Sequence, residues 1–171
     1  MDSICDFSII GPNQNSYFGY SLSEAGDVNG DGFGDIIVGA PASDIAYIYY
    51  GWSEHFLANL NLDGPAGSSF GISVSGDVDL NGDNFSDIAV GAYAYLGYTG
   101  RVYVYLGGTV PNPWPVLTLQ GESAGGLFGH SISLIKDING DAFGEILIGS
   151  YGIDDFTGKA YLYLGKPLLD G

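Results

Sequence analysis

The stretch GDVNGDGFGDIIVGAP, residues 26–41, decides how this chain folds. It places Asp27, Asn29, Asp31 and Asp35 within nine positions and then becomes apolar. Oxygen-rich side chains crowded on a short loop repel one another unless a positive charge lies among them. The branched run that follows, ended by glycine, is typical of a buried β-strand. The stretch therefore predicts a cation-binding loop that leads into a strand.

Nearly the same stretch occurs twice more along the chain. Phe-Gly pairs begin at Phe18, Phe70 and Phe128, at spacings of 52 and 58 residues. Nine positions after each of these phenylalanines comes the first aspartate of an acidic loop. A phase shared by three copies predicts a repeat fold with one supersecondary unit per copy.

Each copy predicts short strands and no helix. YSLS and its equivalents alternate polar with apolar residues, DIIVGA is a short apolar run, and AYIYYG alternates aromatic with aliphatic residues. A fourth strand is predicted in LANLNLDG and in PVLTLQG. Four antiparallel strands per roughly 50 residues are typical of a propeller blade. The fold class predicted is all-β, a beta-propeller of four-stranded antiparallel blades with three blades per chain.

The ends of the chain predict how these blades close into a ring. The predicted units are 1–17, a fourth strand with its connection; 18–65, blade 1; 66–122, blade 2; and 123–171, blade 3, which lacks its own fourth strand. Closed propellers have about four to eight blades. We therefore expect a six-bladed homodimer in which residues 5–10 of each subunit complete the third blade of the other. The alternative is a monomeric fragment of a longer single-chain propeller.

These motifs together resemble the FG-GAP repeat. The shared features are the Phe-Gly pair, the loop D-x-N-G-D-x-F-x-[DE] and, in the first copy, an apolar strand that ends in Gly-Ala-Pro. The resemblance covers residues 18 to about 165 and implies the beta-propeller of integrin alpha subunits and related bacterial and eukaryotic proteins. The second and third copies depart from it with Gly-Ala-Tyr (91–93) and Gly-Ser-Tyr (149–151), which predicts different turns there.

The spacing of the loops, supported by the resemblance, assigns ligands for calcium. Ca²⁺ takes about six to eight oxygens from carboxylates, amides and backbone carbonyls. Loop positions 1, 3, 5 and 9 supply side chains and position 7 supplies a carbonyl. The ligands are Asp27, Asn29, Asp31, the Phe33 carbonyl and Asp35; Asp79, Asn81, Asp83, the Phe85 carbonyl and Asp87; and Asp137, Asn139, Asp141, the Phe143 carbonyl and Glu145. We expect up to three calcium ions per chain.

Other readings of the loops fit the residues less well. Zinc and copper prefer His or Cys, which these loops lack, and magnesium demands a smaller octahedron. An EF-hand needs a Glu at position 12, where the first loop has Val38. An ion-free Asp/Asn/Gly turn remains the simplest alternative.

We expect the three sites to differ in affinity. Position 6 of the loop is Gly32, then Asn84, then Ala142. If this position requires a positive φ, glycine is free to adopt it, asparagine tolerates it and alanine is strained. The third loop also closes with Glu145, whose extra methylene shifts the carboxylate. The predicted order of affinity is first, second, third.

The composition of the chain argues against two classes of binding partner, nucleic acids and anionic membranes. The formal net charge of −16 argues against nucleic acid and anionic membranes, and no apolar run approaches the length of a membrane span. The first residues lack a signal-peptide pattern, so an extracellular or periplasmic location would require excision from a longer protein. Cys5, the single cysteine, is interpreted as a packed thiol.

The function predicted is a calcium-binding scaffold that acts as a binding or adhesion-like module, and not an enzyme. The alternatives are a lectin-like propeller or a non-catalytic part of a larger FG-GAP-containing hydrolase, and the ligand is an unidentified protein or glycan. Residues that cover turns or form a binding face are Tyr93, Tyr95, Tyr98, Tyr151 and Phe156; His55 and His130 are interpreted as packed or solvated, and Trp52 and Trp114 as caps of blade edges.

Overall fold

A computed structural model describes residue 5, residues 7–51 and residues 57–167, and these residues form three antiparallel sheets. The first sheet contains β1 (Ser21–Gly26), β2 (Asp35–Ala40), β3 (Ile45–Tyr50) and β4 (Leu57–Asp63). The second contains β5 (Val74–Val78), β6 (Asp87–Ala92), β7 (Arg101–Tyr105) and β8 (Leu117–Gln120). The third contains β9 (Phe128–Ile135), β10 (Glu145–Ser150) and β11 (Lys159–Leu164).

Within each sheet the strands lie in chain order, so every connection joins direct neighbours. Two sheets have four strands, and the third has three among the described residues. This topology confirms the prediction of an all-β fold built of antiparallel propeller blades. We refer to the three sheets as blade 1, blade 2 and blade 3.

The blades stack face to face because their central strands are apolar on both sides. Ile37 of β2 packs toward blade 2, whereas the adjacent Val38 packs on the opposite face with Tyr47 and Tyr49. On β6, Ile88 faces the core shared with blade 1. Fully burying an aliphatic side chain of this size stabilises the fold by about 1.5–3 kcal/mol. Burial on both faces therefore explains why DIIVGA and DIAVGA are apolar throughout instead of alternating.

Glycine in the second strand lets neighbouring blades approach closely. A Cβ on Gly39 would collide with the carbonyl of Gly71 in blade 2, and a Cβ on Gly91 would collide with the carbonyl of Gly129 in blade 3. The glycine of the VGA segment in blades 1 and 2 is thus required by packing between blades, whereas Gly149 of the IGS segment lies against Ser131 of its own blade.

The turns after the second strands differ among the copies. Four residues join β2 to β3, whereas eight join β6 to β7 and eight join β10 to β11. The turn in blade 2 includes the short helix α1 (Tyr95–Tyr98), which the prediction of no helix missed. Its residues Leu96 and Gly97 have φ values of 49° and 63°, so no helical periodicity marks it in the sequence.

The segment before blade 1 lies against that blade. Residues 7–10, predicted as part of an exchanged strand, belong to no strand of this chain. Ile9 packs on the cluster formed by Val38, Tyr47 and Tyr49. In the part of the chain that the structure describes, no helix has the length and apolar character needed to cross a membrane.

Candidate metal centre

The three acidic loops connect the first and second strands of each blade. Each closing carboxylate residue, Asp35, Asp87 or Glu145, is the first residue of the second strand. The strand therefore fixes position 9 at the base of the loop, and these three residues are buried. Asp31, Asp83 and their equivalent Asp141 lie at the exposed rim.

In the first loop the backbone winds around the side chain of Asp27. Its carboxylate accepts hydrogen bonds from the N–H groups of Gly30 at 2.7 Å, Gly32 at 2.9 Å and Asp31 at 3.1 Å. Turns held by an aspartate side chain in this way are typical of Asp- and Asn-rich loops. The first aspartate thus sets the shape of the loop as well as contributing charge.

Positions 3 and 5 of the same loop bind each other. Asn29 Nδ2 donates to Asp31 Oδ2 at 2.8 Å, and Asn29 Oδ1 accepts from the Asp31 N–H at 2.9 Å. Asp31 Oδ1 accepts from the Phe33 N–H at 2.9 Å. The predicted ligands at positions 1, 3 and 5 are therefore held by the backbone of their own loop.

The second and third loops repeat this arrangement. Asn81 Nδ2 donates to Asp83 Oδ2 at 2.9 Å, and Asn139 Nδ2 donates to Asp141 Oδ2 at 3.0 Å. The N–H at position 6 binds the first aspartate in every loop, from Gly32 to Asp27, Asn84 to Asp79 and Ala142 to Asp137. The same hydrogen bonds in all three loops explain why Asp, Asn and Asp recur at positions 1, 3 and 5 of each loop.

Position 6 has a positive φ in all three loops. The values are 87° at Gly32, 69° at Asn84 and 74° at Ala142. Glycine adopts this region freely and asparagine with little strain, whereas alanine is strained by about 1 kcal/mol. The condition on which the predicted order of affinities depends is therefore met, while the order itself stays a prediction.

The closing aspartates of the first two loops each bind two backbone groups. Asp35 accepts from the N–H groups of Val28 and Gly51, both at 2.9 Å. Asp87 accepts from Leu80 at 2.8 Å and Gly107 at 3.0 Å. Burial raises the pKa of Asp87 to about 7, and burial also raises the pKa of Asp35 above its ordinary value.

Glu145 closes the third loop differently. Its Oε2 accepts from the Ile138 N–H at 3.0 Å, but its Oε1 is buried with no hydrogen-bond partner. One oxygen from each of Asp137, Asp141 and Glu145 lies within 4.8 Å of the others. A buried carboxylate oxygen without a partner is costly, and a cation among the three carboxylates would supply the missing interaction.

The donor set of the loops fits a hard divalent cation. Carboxylate and amide oxygens line every loop, and no His or Cys belongs to one. The three acids come together in the third loop, whereas in the first two the closing aspartate points to backbone N–H groups. The backbone carbonyls predicted as position-7 ligands, those of Phe33, Phe85 and Phe143, belong to the same three loops.

Two features of these regions are not predicted by the sequence pattern. The N–H groups of Gly51 and Gly107 anchor the closing aspartates, and their only signal is a glycine that follows the third strand in each copy. Asp44, in the turn before β3, accepts from the N–H groups of Gly67 at 2.6 Å and Phe70 at 3.1 Å. Its position just before a strand is a weak signal for such a bracing role.

The turns at the other end of the second strands carry a row of aromatic rings. His130 lies between Tyr93, at 5.4 Å between ring centroids, and Tyr151, at 4.9 Å. The row extends to Tyr98 and to the exposed Phe156. His130 is thus packed among aromatic rings, as interpreted from the sequence.

The other aromatic residues singled out from the sequence do not belong to this row of rings. The guanidinium of Arg101 lies 3.9 Å from the centroid of the Tyr95 ring. Trp114 is 74% exposed, so the expectation that it caps a blade edge is wrong. Trp52 and His55 lie outside the described residues.

Comparison with known proteins identifies the repeats. The family description "FG-GAP repeat" matches residues 18–54 and 70–105, the first two copies. "Integrin alpha-7" of Homo sapiens is 38% identical over 93% of this chain and 14% of its own length. "Integrin alpha-5" of Xenopus laevis is 36% identical over 90% of this chain and 16% of its own length. "Integrin alpha-PS5" of Drosophila melanogaster is 32% identical over 93% of this chain and 17% of its own length.

This chain therefore spans about one-sixth of the length of the curated relatives that it matches. The matched positions include the Phe-Gly pairs and the acidic loops of the first two blades, and the third loop has the same hydrogen bonds. The chain contains FG-GAP repeats and, over most of its own length, resembles the integrin alpha subunits.

Proposed function

We propose that this chain is a calcium-stabilised propeller module that binds other molecules and does not catalyse a reaction. The observation that carries the proposal is the third loop, where oxygens of Asp137, Asp141 and Glu145 lie within 4.8 Å of one another and Oε1 of Glu145 is buried without a hydrogen-bond partner. The equivalent hydrogen bonds in the other loops support the same role for them. Similarity to integrin alpha subunits supports an adhesion-like, extracellular role.

The residues proposed to hold calcium are those at loop positions 1, 3, 5, 7 and 9 of each blade, up to three ions per chain. The ion would supply positive charge among side chains that otherwise repel one another. It would also join the exposed rim of each loop to the buried first residue of the second strand. Calcium thus acts on the stability of the blade and on the shape of the loop.

The proposed partners are a second copy of this chain and a ligand bound at the aromatic turns. Aromatic side chains are enriched at protein interfaces because they bury a large area while losing little conformational freedom. A protein ligand is the first candidate because the relatives are integrin subunits. A lectin-like propeller and a non-catalytic part of a hydrolase remain the alternatives from the sequence.

Calorimetric titration with calcium tests the site assignment. We expect up to three ions per chain in the wild type, with Asp31→Ala removing a strong site and Asp141→Ala a weak one. Asp44→Ala is the matched control, because Asp44 is acidic and braces a turn outside the acidic loops. Unchanged calcium binding in both loop variants would contradict the assignment.

The class of ligand is tested separately, with calcium present throughout. A glycan array distinguishes a lectin-like propeller from a protein-binding module, and a general hydrolase screen tests for catalysis. If Phe156→Ala loses binding of the glycan or protein ligand while its melting temperature is unchanged, the ligand binds at the aromatic turns. Hydrolysis that survives repurification would contradict the non-catalytic role.

A further inference from the structure

The second acidic loop differs from the other two at positions 6 and 8. Position 6 is Asn84, where the first loop has Gly32 and the third has Ala142. Position 8 is Ser86, where the other two loops both have glycine. With Phe85 between them, these two residues form Asn-Phe-Ser, which matches Asn-x-Ser/Thr with x other than proline. This pattern marks an asparagine as an acceptor for N-linked glycosylation.

The acceptor pattern occurs once in the chain. No other asparagine is followed two positions later by serine or threonine. Because three residues can match by chance, the surroundings of Asn84 in the folded protein decide whether the pattern has a use. A bulky, hydrated glycan needs an exposed asparagine whose amide makes no contact on which the fold depends.

The side chain of Asn84 differs from those of the other asparagines in the acidic loops. Asn29, Asn81 and Asn139 each donate from Nδ2 to an aspartate of the same loop, at 2.8, 2.9 and 3.0 Å. Asn84 is exposed, and among the described residues its side chain has no hydrogen-bond partner. Replacement of one Nδ2 proton by a sugar would therefore break no contact of the loop.

The backbone of Asn84 is held in place by its own loop. Its N–H donates to Asp79 Oδ2 at 2.8 Å, and its φ of 69° lies in the left-handed region. Asparagine adopts this region with less strain than most other residues except glycine. A glycan on Asn84 would thus extend from a fixed point. Position 6 supplies no ligand in the calcium assignment, so the glycan and the ion would not compete.

The serine of the pattern lies at the junction between blades 1 and 2. A Cβ added to Gly26 would collide with Ser86 Oγ, and the Ser86 N–H donates to the Asp27 carbonyl at 3.1 Å. Gly144 makes the same backbone hydrogen bond to the Asp79 carbonyl at 2.9 Å without any side chain. Within the part of the chain that the structure describes, the Ser86 hydroxyl has no hydrogen-bond partner. The junction therefore needs the backbone at position 8 and not a hydroxyl, which leaves the acceptor pattern as a role for that hydroxyl.

The second acidic loop and the aromatic turns lie at opposite ends of a second strand. Asp87, which closes the loop, is the first residue of β6, and Tyr93 follows the last residue of β6. A glycan on Asn84 would therefore cover the end of blade 2 that carries the acidic loop. It would leave the row of rings formed by Tyr93, His130 and Tyr151 open to a ligand.

We propose that Asn84 is an N-glycosylation site, whose glycan covers the acidic-loop end of blade 2 and leaves the aromatic turns as the binding side. The inference rests on the extracellular role proposed above, because this modification takes place on chains that enter the secretory pathway. It deepens that role by assigning different uses to the two ends of the blade.

The donor in this reaction is an oligosaccharide linked to a lipid through a diphosphate. Nδ2 of Asn84 attacks the anomeric carbon of the first sugar, the bond from that carbon to the diphosphate oxygen breaks, and an N–C bond forms. One amide proton is lost, and the lipid diphosphate leaves with the bonding electron pair. Because Ser86 is half-buried against Gly26 in the folded protein, the transfer must precede the packing of blade 2 on blade 1.

Expression of the whole chain behind a secretory leader in cultured insect or mammalian cells tests the proposal. We expect wild-type chains to exceed the 17.9 kDa of the polypeptide and to return to it after treatment with peptide N-glycosidase. That enzyme leaves an aspartate where the glycan was attached, so peptide mass spectrometry should find aspartate at position 84. The measurement reads retained chains as well as secreted ones, so poor folding would not hide the result. An unmodified Asn84 in wild-type chains that have lost their leader would overturn the proposal.

Three variants separate the acceptor pattern from the structure of the loop. Asn84→Gln and Ser86→Gly should both lose the glycan. Ser86→Gly keeps Asn84 and gives position 8 the residue that the other two loops have, so it is the matched variant for folding. Ser86→Thr preserves the pattern and should keep the glycan. A glycan that persists in Ser86→Gly, or one that is lost in Ser86→Thr, would overturn the assignment.

The response to calcium distinguishes this inference from the proposed function. The calcium-induced rise in melting temperature should be equal in the glycosylated wild type and in Ser86→Gly, because position 6 supplies no ligand. A rise in both proteins with Asn84 unmodified would overturn the glycosylation site alone. A glycan on Asn84 with no rise in either protein would support the glycosylation site and contradict the calcium-stabilised scaffold.

Discussion

The first two acidic loops and the third loop differ by one methylene at the closing carboxylate. Asp35 and Asp87 each accept two backbone hydrogen bonds, which join the loop to the end of the third strand. Glu145 accepts one, and its Oε1 is buried without a hydrogen-bond partner. The shorter side chain acts as an anchor for the blade, whereas the longer one gathers with Asp137 and Asp141.

Different residues of the third loop therefore affect folding stability and the affinity proposed for calcium. Ala142 has a φ of 74°, and the strain of this conformation lowers folding stability. A cation that contacted the unpartnered Oε1 of Glu145 would relieve its cost, which would favour binding at the third loop. The anchored aspartates would gain less from an ion, but they are already held in place, which would lower the entropy lost on binding.

Removal of calcium should give the largest effect. An ion that binds only the folded state stabilises it by about 2.7 kcal/mol at a hundredfold excess over its Kd. For a protein of this size that corresponds to about 5–10 °C in melting temperature for each occupied site. Differential scanning calorimetry before and after chelation measures the shift, and equimolar magnesium is the control. An unchanged melting curve after thorough chelation would contradict all three sites.

Most of the fold could be predicted from the sequence because the repeats constrain it three times. Strands, their order and the acidic loops all follow from a phase that Phe18, Phe70 and Phe128 share. The turn at Tyr95–Tyr98 could not be predicted, because its left-handed residues are stabilised by packing and have no periodicity.

The residues of the candidate site could be predicted from the sequence, but the different contacts of the closing carboxylates in the three loops could not. The pattern places a carboxylate at position 9 in each loop, and it does not tell which atoms the carboxylate contacts. The anchoring N–H groups of Gly51 and Gly107 follow β3 and β7, 16 and 20 residues after the aspartates that they bind. Contacts between such distant positions arise from the sheet and leave only a recurring glycine in the sequence.

Without calcium, the stability of the protein should depend on pH through the buried Asp87. The pKa of Asp87 is about 7 in the folded state and near its ordinary value of 3.8 in the unfolded state. Between these values the folded state holds a proton that the unfolded state has lost, so stability falls as the pH rises. We expect a loss of about 2 kcal/mol between pH 5 and pH 8, measured by urea unfolding in chelator. The slope should shrink in Asp87→Asn, and an unaltered slope would show that other groups cause it.

Exchange of the closing acids for amides should separate the two kinds of loop. In chelator, Glu145→Gln should raise the free energy of unfolding by about 1 kcal/mol, because it removes a buried charge whose Oε1 has no partner. Asp35→Asn should lower it by about 1 kcal/mol, because one backbone N–H would then face an amide NH₂ group. Urea unfolding of both variants measures the contrast. Equal effects of the same sign would show that the extra methylene of Glu145 is unimportant.

The smallest effect expected is at position 6. Ala142→Gly should raise the free energy of unfolding by only about 0.5 kcal/mol, because the relief of steric strain at a φ of 74° is partly offset by the greater freedom of glycine in the unfolded chain. The reverse exchange, Gly32→Ala, should lower it by a similar amount at the same place in the first loop. If Ala142 is equally strained with and without the ion, the gain is the same in calcium and in chelator. Urea unfolding in both conditions tests this, and a gain seen only in calcium would mean that position 6 controls affinity and not the stability of the loop.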